Sequence, residues 1–342
     1  MAKDLTTSRI DRQNILNNEI AITEIRSTSN IHGIIFEGNA YLTKGMVAAF
    51  FEVEPRTIER YVSENADELI NNGYEILRGT RLKEFIKCMN EQDVPDMNVG
   101  NISNRTPQLA IFNFRAFLNV AMLITESERA KMLRQVILDI AIDLVNKRTG
   151  GGTKYINQRD KDFAGTFLQE ENYRQEFTDA LRDYLNMGPF KYAVYTDKIY
   201  QSIFREKAKE YRAILRLKQT DHVRDTLYSE VLNIIASYEC GLAALIKEQS
   251  EKLKRMLTPW EMDDIFRAFE NLPLWKPLIH HARIKMASRD LALRDAFHEQ
   301  LKEYIQPLET EEYKRFLGAE GDEIERLMAE NQDVLKRLKE RN

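Results

Sequence analysis

Residues 39–62, NAYLTKGMVAAFFEVEPRTIERYV, carry the change of period on which the fold turns. Before and into them, 34–36 and 40–42 are short β-prone runs on either side of Glu37-Gly38-Asn39, a tight-turn signal. Met46, Ala49, Phe50 and Val53 then fall at i, i+3, i+4 and i+7, one face of a helix that Thr43 is placed to cap. Pro55 suits the first turn of a second helix, whose apolar side continues through Ile58, Tyr61, Val62, Leu69 and Ile70. Two helices across a short turn have helix-turn-helix spacing. Residues 74–77, a turn at Arg78-Gly79-Thr80, and residues 81–85 read as the hairpin of a wing that ends near Cys88.

Residues 89–107, MNEQDVPDMNVGNISNRTP, lack a helical period and predict a linker and a domain boundary. Beyond them the pattern predicts helix over 112–124, and then Thr125 and Glu128 as a capping box for a helix reaching about Lys147. Gly150-Gly151-Gly152 stops that helix, and further helices are predicted over 157–186, 195–218, 221–249, 258–270, 276–305 and 310–340. The expected fold class is mainly α. A winged helix-turn-helix with a small β hairpin and a polar amino-terminal arm fills 1–88, and 89–107 is the linker. A helical segment ending in a glycine-rich loop fills 108–160, and a helical partner, oligomerisation or effector region fills 161–342.

Composition bounds the rest. A chain of 342 residues with 43% hydrophobic and 30% charged residues, 14 Gly and 8 Pro can build a sizeable core and is neither collagen-like nor low-complexity. Fifty Lys and Arg against 54 Asp and Glu give a net charge of -4, so any nucleic-acid contact is local. Two cysteines, Cys88 and Cys240, exclude a disulfide framework or a Cys-based zinc site and point to a reducing, cytoplasmic setting. MAKDLTTSRIDRQ has no signal-peptide character, and apolar stretches such as 137–145 are broken by Asp139 and Asp143, short of the roughly 20 residues of a membrane span, so no membrane partner is expected.

Chemistry concentrates on the second predicted helix. Arg56, Thr57, Arg60 and Tyr61 lie near its start; Arg can donate twice to guanine and Thr can meet a thymine methyl. Lys44, Arg78, Arg81 and Lys83 are candidate phosphate contacts. Against this stand eight acidic residues over 43–88 (Glu52, Glu54, Glu59, Glu64, Asp67, Glu68, Glu75, Glu84) with seven basic ones, which predict weak nonspecific affinity. The alternative is a helical pair used for packing or protein contact. Lys147, Arg148, Gly151 and Lys154 surround the triple glycine, whose amides could form an anion nest, although a glycine helix stop with solvated cations explains them too. No cofactor or metal site is expected: none of His32, His222, His280, His281 and His298 falls in a ligand pattern. Asp221 or Thr220 reads as the cap of the helix that follows His222. Tyr192, Tyr195, Tyr200, Phe204 and Tyr211 are either a core stripe or a base-stacking platform. Leu317, Ile324, Asn331 and Leu338 recur at sevens with Met328 and Leu335 between them, a seam suited to a homodimer.

The 39–62 stretch resembles the amino-terminal segment of the RhuM virulence-protein family, with Leu42, Thr43, Met46, Ala49, Phe50, Val53, Thr57 and Ile58 matching its pattern. Ser127, Ala130 and Arg134 are similar to the Ser-x-x-Ala-x-x-x-Arg pattern of phage antirepressors of the Bro and KilA type. Together these cover about 34–147, and imply a double-stranded DNA-binding regulator or defence component of mobile elements, with no established reaction. Asn146-Lys147-Arg148 resembles the Fic and Doc active-site loop, but Ile140 and Ile142 stand where that chemistry needs His and Phe. Arg294 and His298 resemble the Arg–His pair of HEPN-type ribonucleases with one residue too few between them, as a helical i, i+4 pair. They are the only catalytic candidates, for an alternative in which the carboxy-terminal region is a nuclease or toxin effector. A further alternative is a protein-interaction scaffold.

Overall fold

In the computed structural model of the chain, which describes residues 4–28, 31, 33–92, 102 and 106–330, the expected polar arm is two helices. These are α1 (Arg9–Asn17), whose Ser8 cap accepts from the Asp11 amide at 3.2 Å, and α2 (Glu19–Thr28). They form because Ile15, Leu16, Ile22 and Ile25 bury in the core of the first unit, while Arg12 donates to both oxygens of buried Glu68 at 2.7 Å.

The next elements are β1 (Ile34–Phe36), β2 (Asn39–Thr43), α3 (Lys44–Phe51), α4 (Pro55–Glu64) and α5 (Ala66–Asn71). Then come β3 (Tyr74–Arg78), α6 (Gly79–Glu91), β4 (Gln108–Asn113), α7 (Phe114–Leu123) and α8 (Glu128–Arg148). The four strands form one antiparallel sheet in the order β1-β2-β4-β3, with Leu42 and Tyr74 both opposite Phe112. Two expectations change here. Residues 81–85 are helix, because Leu82, Phe85 and Ile86 bury one helical face; the partner of β3 is instead β4, thirty residues later in Arg78–Gln108 register. The 89–107 stretch is not a domain boundary, because the strand that follows it sits in the middle of the same sheet. The chain divides into compact units Met1–Leu144 and Val145–Asn342, so the segment expected over 108–160 belongs to both.

The named elements of the second unit are all helical. It comprises a 3-10 segment Thr153–Arg159, α9 (Phe163–Tyr184), α10 (Lys191–Phe204), α11 (Ala208–Ile214) and a 3-10 turn Arg224–Thr226. After them run α12 (Ser229–Leu253), α13 (Pro259–Glu270), α14 (Trp275–Leu293), a 3-10 segment Glu299–Tyr304, α15 (Thr310–Leu317) and α16 (Ala319–Glu330). Helix α9 lies along α12, and Tyr195, Tyr200, Phe204 and Tyr211 are buried in the core between helices, so the aromatic stripe is packing and not a stacking surface. Asp221 does not cap a helix: α12 begins at Ser229, and Asp221 accepts from the Lys218 amide at 2.7 Å. The 195–218 helix breaks at Arg205, which has a φ of 64°, and the 310–340 helix breaks at Gly318. Leu317 is buried within its own unit, ahead of that break, while Asn331, Leu335 and Leu338 of the seam lie outside the described residues. Among the described residues α12 alone is long and apolar enough to cross a membrane by length and composition, a stretch the apolar-run reading passed over, and 56% of its apolar window is buried.

Candidate nucleic-acid interface and the buried charges

The α3–α4 pair is built by local signals. The Thr43 hydroxyl accepts from the Met46 amide at 3.2 Å to start α3, which buries Met46, Val47, Ala48 and Phe51. Glu52, at a φ of 54°, ends it, and the Val53 amide donates back to the Ala48 carbonyl at 3.0 Å. Pro55 then opens α4, which buries Ile58 and Tyr61 and leaves Arg56, Glu59, Arg60, Ser63 and Glu64 exposed. The outward face of α4 is therefore polar from its first turn.

The candidate contacts divide by what already holds them. Arg56 and Lys83 are exposed and have no ion partner among the described residues. Half-buried Thr57 has its amide on the Glu54 carbonyl at 2.8 Å, inside the turn. Lys44 pairs with Glu59 of α4. Arg78 donates to Gln108 across the β3–β4 pair at 2.9 Å. Arg81 bridges Glu37 at 2.8 Å and Glu75 at 2.7 Å, so it ties the β1–β2 turn to β3 instead of offering a free cation. Arg60 pairs with Glu126 and lies 4.8 Å over the Tyr61 ring, and the Tyr61 hydroxyl donates to the other Glu126 oxygen at 2.7 Å.

That partner loop between α7 and α8 carries Glu126, and the first turn of α8 carries Arg129 close behind it, two residues that the sequence patterns do not name. Ser127, not Thr125, caps α8: its hydroxyl accepts from the Ala130 amide at 3.1 Å and donates to the Phe51 carbonyl at 2.7 Å. Arg129 donates to the Phe50 carbonyl at 3.1 Å and pairs with Glu52 at 2.8 Å, and Arg134 donates to the Ala121 carbonyl at 2.9 Å. The loop is thus pinned on the end of α3 and beside α4. Partial burial would raise the pKa of Glu126, but hydrogen bonds from Tyr61 and Arg60 outweigh it and hold the carboxyl down to about 2. A Ser and a Glu next to a capping position are the only sequence signal, and nothing in them names Arg60, 66 positions away.

The glycine loop is not an anion nest. The Gly151 amide donates to the Asn146 carbonyl at 2.8 Å and the Gly150 amide to the Lys147 carbonyl at 3.4 Å, with φ of 83° and 59°. That pattern closes the end of α8. The Gly152 amide is taken by Thr149 at 3.0 Å. Arg148 pairs with Asp322 at 2.9 Å and Lys154 donates to the Arg216 carbonyl at 2.7 Å, which leaves Lys147 as the exposed one of the three candidate cations.

Arg294 and His298 meet, but not on a helix and not at a surface. Helix α14 stops at Leu293, and Asp295, at a φ of 50°, turns the chain back so that the Ala296 amide donates to the Asp290 carbonyl at 3.0 Å. Asp290 Oδ1 accepts from Arg294 at 2.9 Å and from the Tyr228 hydroxyl at 2.8 Å, while Oδ2 faces His298 Nε2 at 2.7 Å. His298 Nδ1 lies 2.9 Å from Glu206, and the side chains of His298 and Asp290 are 0% exposed. Nearby, fully buried Arg289 is held by Glu230 at 2.8 Å and Glu312 at 2.8 Å. Enclosed groups that satisfy one another serve architecture, and no reacting phosphate could reach them without unpacking the unit.

A titration prediction arises here. Burial pushes the His298 pKa down, but hydrogen bonds to Asp290 and Glu206 outweigh it and raise it from 6.5 to about 9. The imidazolium therefore stabilises the fold fully below pH 6.5, and that contribution fades as pH rises through about 9. In urea unfolding, the cost of His298→Gln is expected to be largest at pH 6 and to shrink toward pH 9.5, on the order of the span between those two values. A cost that does not change with pH would contradict the charged assignment.

Compared with known proteins, the chain matches no family model, no curated protein and no solved structure.

Proposed function

We propose that this chain is a double-stranded DNA-binding regulator or defence component of the cytoplasm, reading the major groove with α4 of a helix-turn-helix in its first unit. The observation that carries the reading is the exposed amino-terminal end of α4, which holds Arg56 without an ion partner among the described residues and is set by a capped α3 and a turn of three residues, Glu52 to Glu54. Arg56, Thr57 and Arg60 meet base edges, and Lys44, Arg78 and Lys83 lie along the phosphates, with Arg81 shaping the β1–β2 turn. The resemblance of 39–62 to the RhuM family supports the same role. The enclosure of Arg294 and His298 favours a regulator over a nuclease effector. Two copies of the chain would present two α4 helices to paired half-sites.

A mobility shift on the duplex upstream of the chain's own gene, at low salt, tests this. Arg56→Ala is expected to weaken binding by about tenfold or more, the worth of one good bidentate base contact. Unchanged affinity and sequence preference in Arg56→Ala would remove α4 as the reading helix.

A further inference from the structure

One carboxylate stands in the way of the DNA-facing side of α4. Glu126 occupies Arg60 through one oxygen and receives the Tyr61 hydroxyl at 2.7 Å and the Thr125 amide at 3.2 Å through the other. It does not drift there on a free loop: Ser127 and Arg129 fasten the neighbouring backbone to Phe51, Phe50 and Glu52. An ion pair with half of each side chain exposed contributes little to stability, so the arrangement calls for another account. A fixed negative charge at that position does two things to an approaching duplex. It repels phosphates within a screening length, and it makes Arg60 available only to a group that can take its guanidinium hydrogens in place of the carboxylate. Guanine offers O6 and N7 side by side and brings no charge, whereas a phosphate, although it also accepts a guanidinium through two oxygens, sets a like charge beside the Glu126 carboxylate.

We propose that Glu126 is a built-in competitor for DNA at α4, which suppresses nonspecific binding and raises selectivity by holding Arg60 until a matching base edge displaces it. The inference rests on the DNA-binding reading above. It assigns to a loop distant in sequence from the helix pair a share in choosing the ligand. The neutral amide of Glu126→Gln can still accept from Tyr61, so the local packing is kept while the competing charge is lost.

The test uses the full chain and two probes, a random-sequence duplex and a duplex selected by this protein from a random pool. Glu126→Gln is expected to bind the random duplex about three- to tenfold more tightly at low salt, with the log-log salt slope steeper by about 0.9, one extra phosphate contact. Affinity for the selected duplex rises less, so the ratio between probes falls. In an Arg60→Ala background the gain shrinks to the part that lost phosphate repulsion supplies, because the competitor then has no cation to release; a change of fold alone would not show that coupling. A gain undiminished without Arg60, or no gain while the wild type binds and Arg56→Ala weakens it, overturns the competitor and leaves the DNA reading standing. Failure of both wild type and Glu126→Gln to shift either duplex overturns the two together.

Discussion

Asp290→Ala lowers the stability of the second unit by about 3–5 kcal/mol, the cost of removing one partner from a buried charge cluster. The reason is what remains. Asp290 takes hydrogen bonds from Arg294, Tyr228 and His298, all within 2.9 Å, and its pKa is lowered although burial alone would raise it, because Arg294 and His298 outweigh burial. Without it Arg294 keeps only neutral acceptors, Asn157 Oδ1 and the Thr226 carbonyl at 2.8 Å and the Thr153 carbonyl at 3.3 Å, and His298 keeps Glu206. Arg294 is then left without an anionic partner in a site closed to water. Asp290→Asn, isosteric and able to accept from one of the two, costs less. Trp260 and Trp275 are the two tryptophans of the chain and both lie in this unit, so the fluorescence transition in urea reports it directly. A loss below about 1 kcal/mol, the size of an ordinary surface pair, would show that the cluster is not what holds α12, α14 and the Glu299–Tyr304 segment together.

That cluster also shows where sequence reading stops. Arg289 and Asp290 sit in a run, Met286 to Asp290, buried on every side, so no period separates an inner from an outer face and the charges look like surface. The i, i+4 spacing of Arg294 and His298 pointed to a shared helix face, which the left-handed turn at Asp295 removes. In the first unit α3 and α4 were legible because their signals, Thr43, Pro55 and the spacing of Met46 and Ile58, lie within a few residues of the elements they set. The mainly helical class followed from the same kind of signal. The partner of β3 was not legible, since pairing with β4 is settled by burial of Leu109 and Ile111 in a core built from distant segments. Glu126 belongs to the same category: only the folded loop brings it to Arg60.

Gly73→Ala is expected to cost the first unit about 2–4 kcal/mol, from backbone strain and a steric overlap that can be separated. Gly73 has a φ of 96° at the turn from α5 into β3, a conformation an L side chain rarely adopts, and a Cβ there would overlap the Asn113 side chain. Asn113 has its own task. It accepts from the Ala116 amide at 2.9 Å to start α7, and its backbone amide donates to the Gly73 carbonyl at 3.2 Å beside the Tyr74–Phe112 pair. Pushing that side chain away leaves α7 without its cap, a loss of about 1 kcal/mol. In an Asn113→Ala background the overlap and the cap are already gone, so adding Gly73→Ala should cost only the strain, about 1–2 kcal/mol. Cys88 lies on α6 of this unit and is half-buried, so its labelling during urea unfolding, in a Cys240→Ser background, reads the first unit without the second. Equal costs in the two backgrounds would mean that Asn113 rotates aside while still capping α7, and would place the whole penalty in the backbone of residue 73.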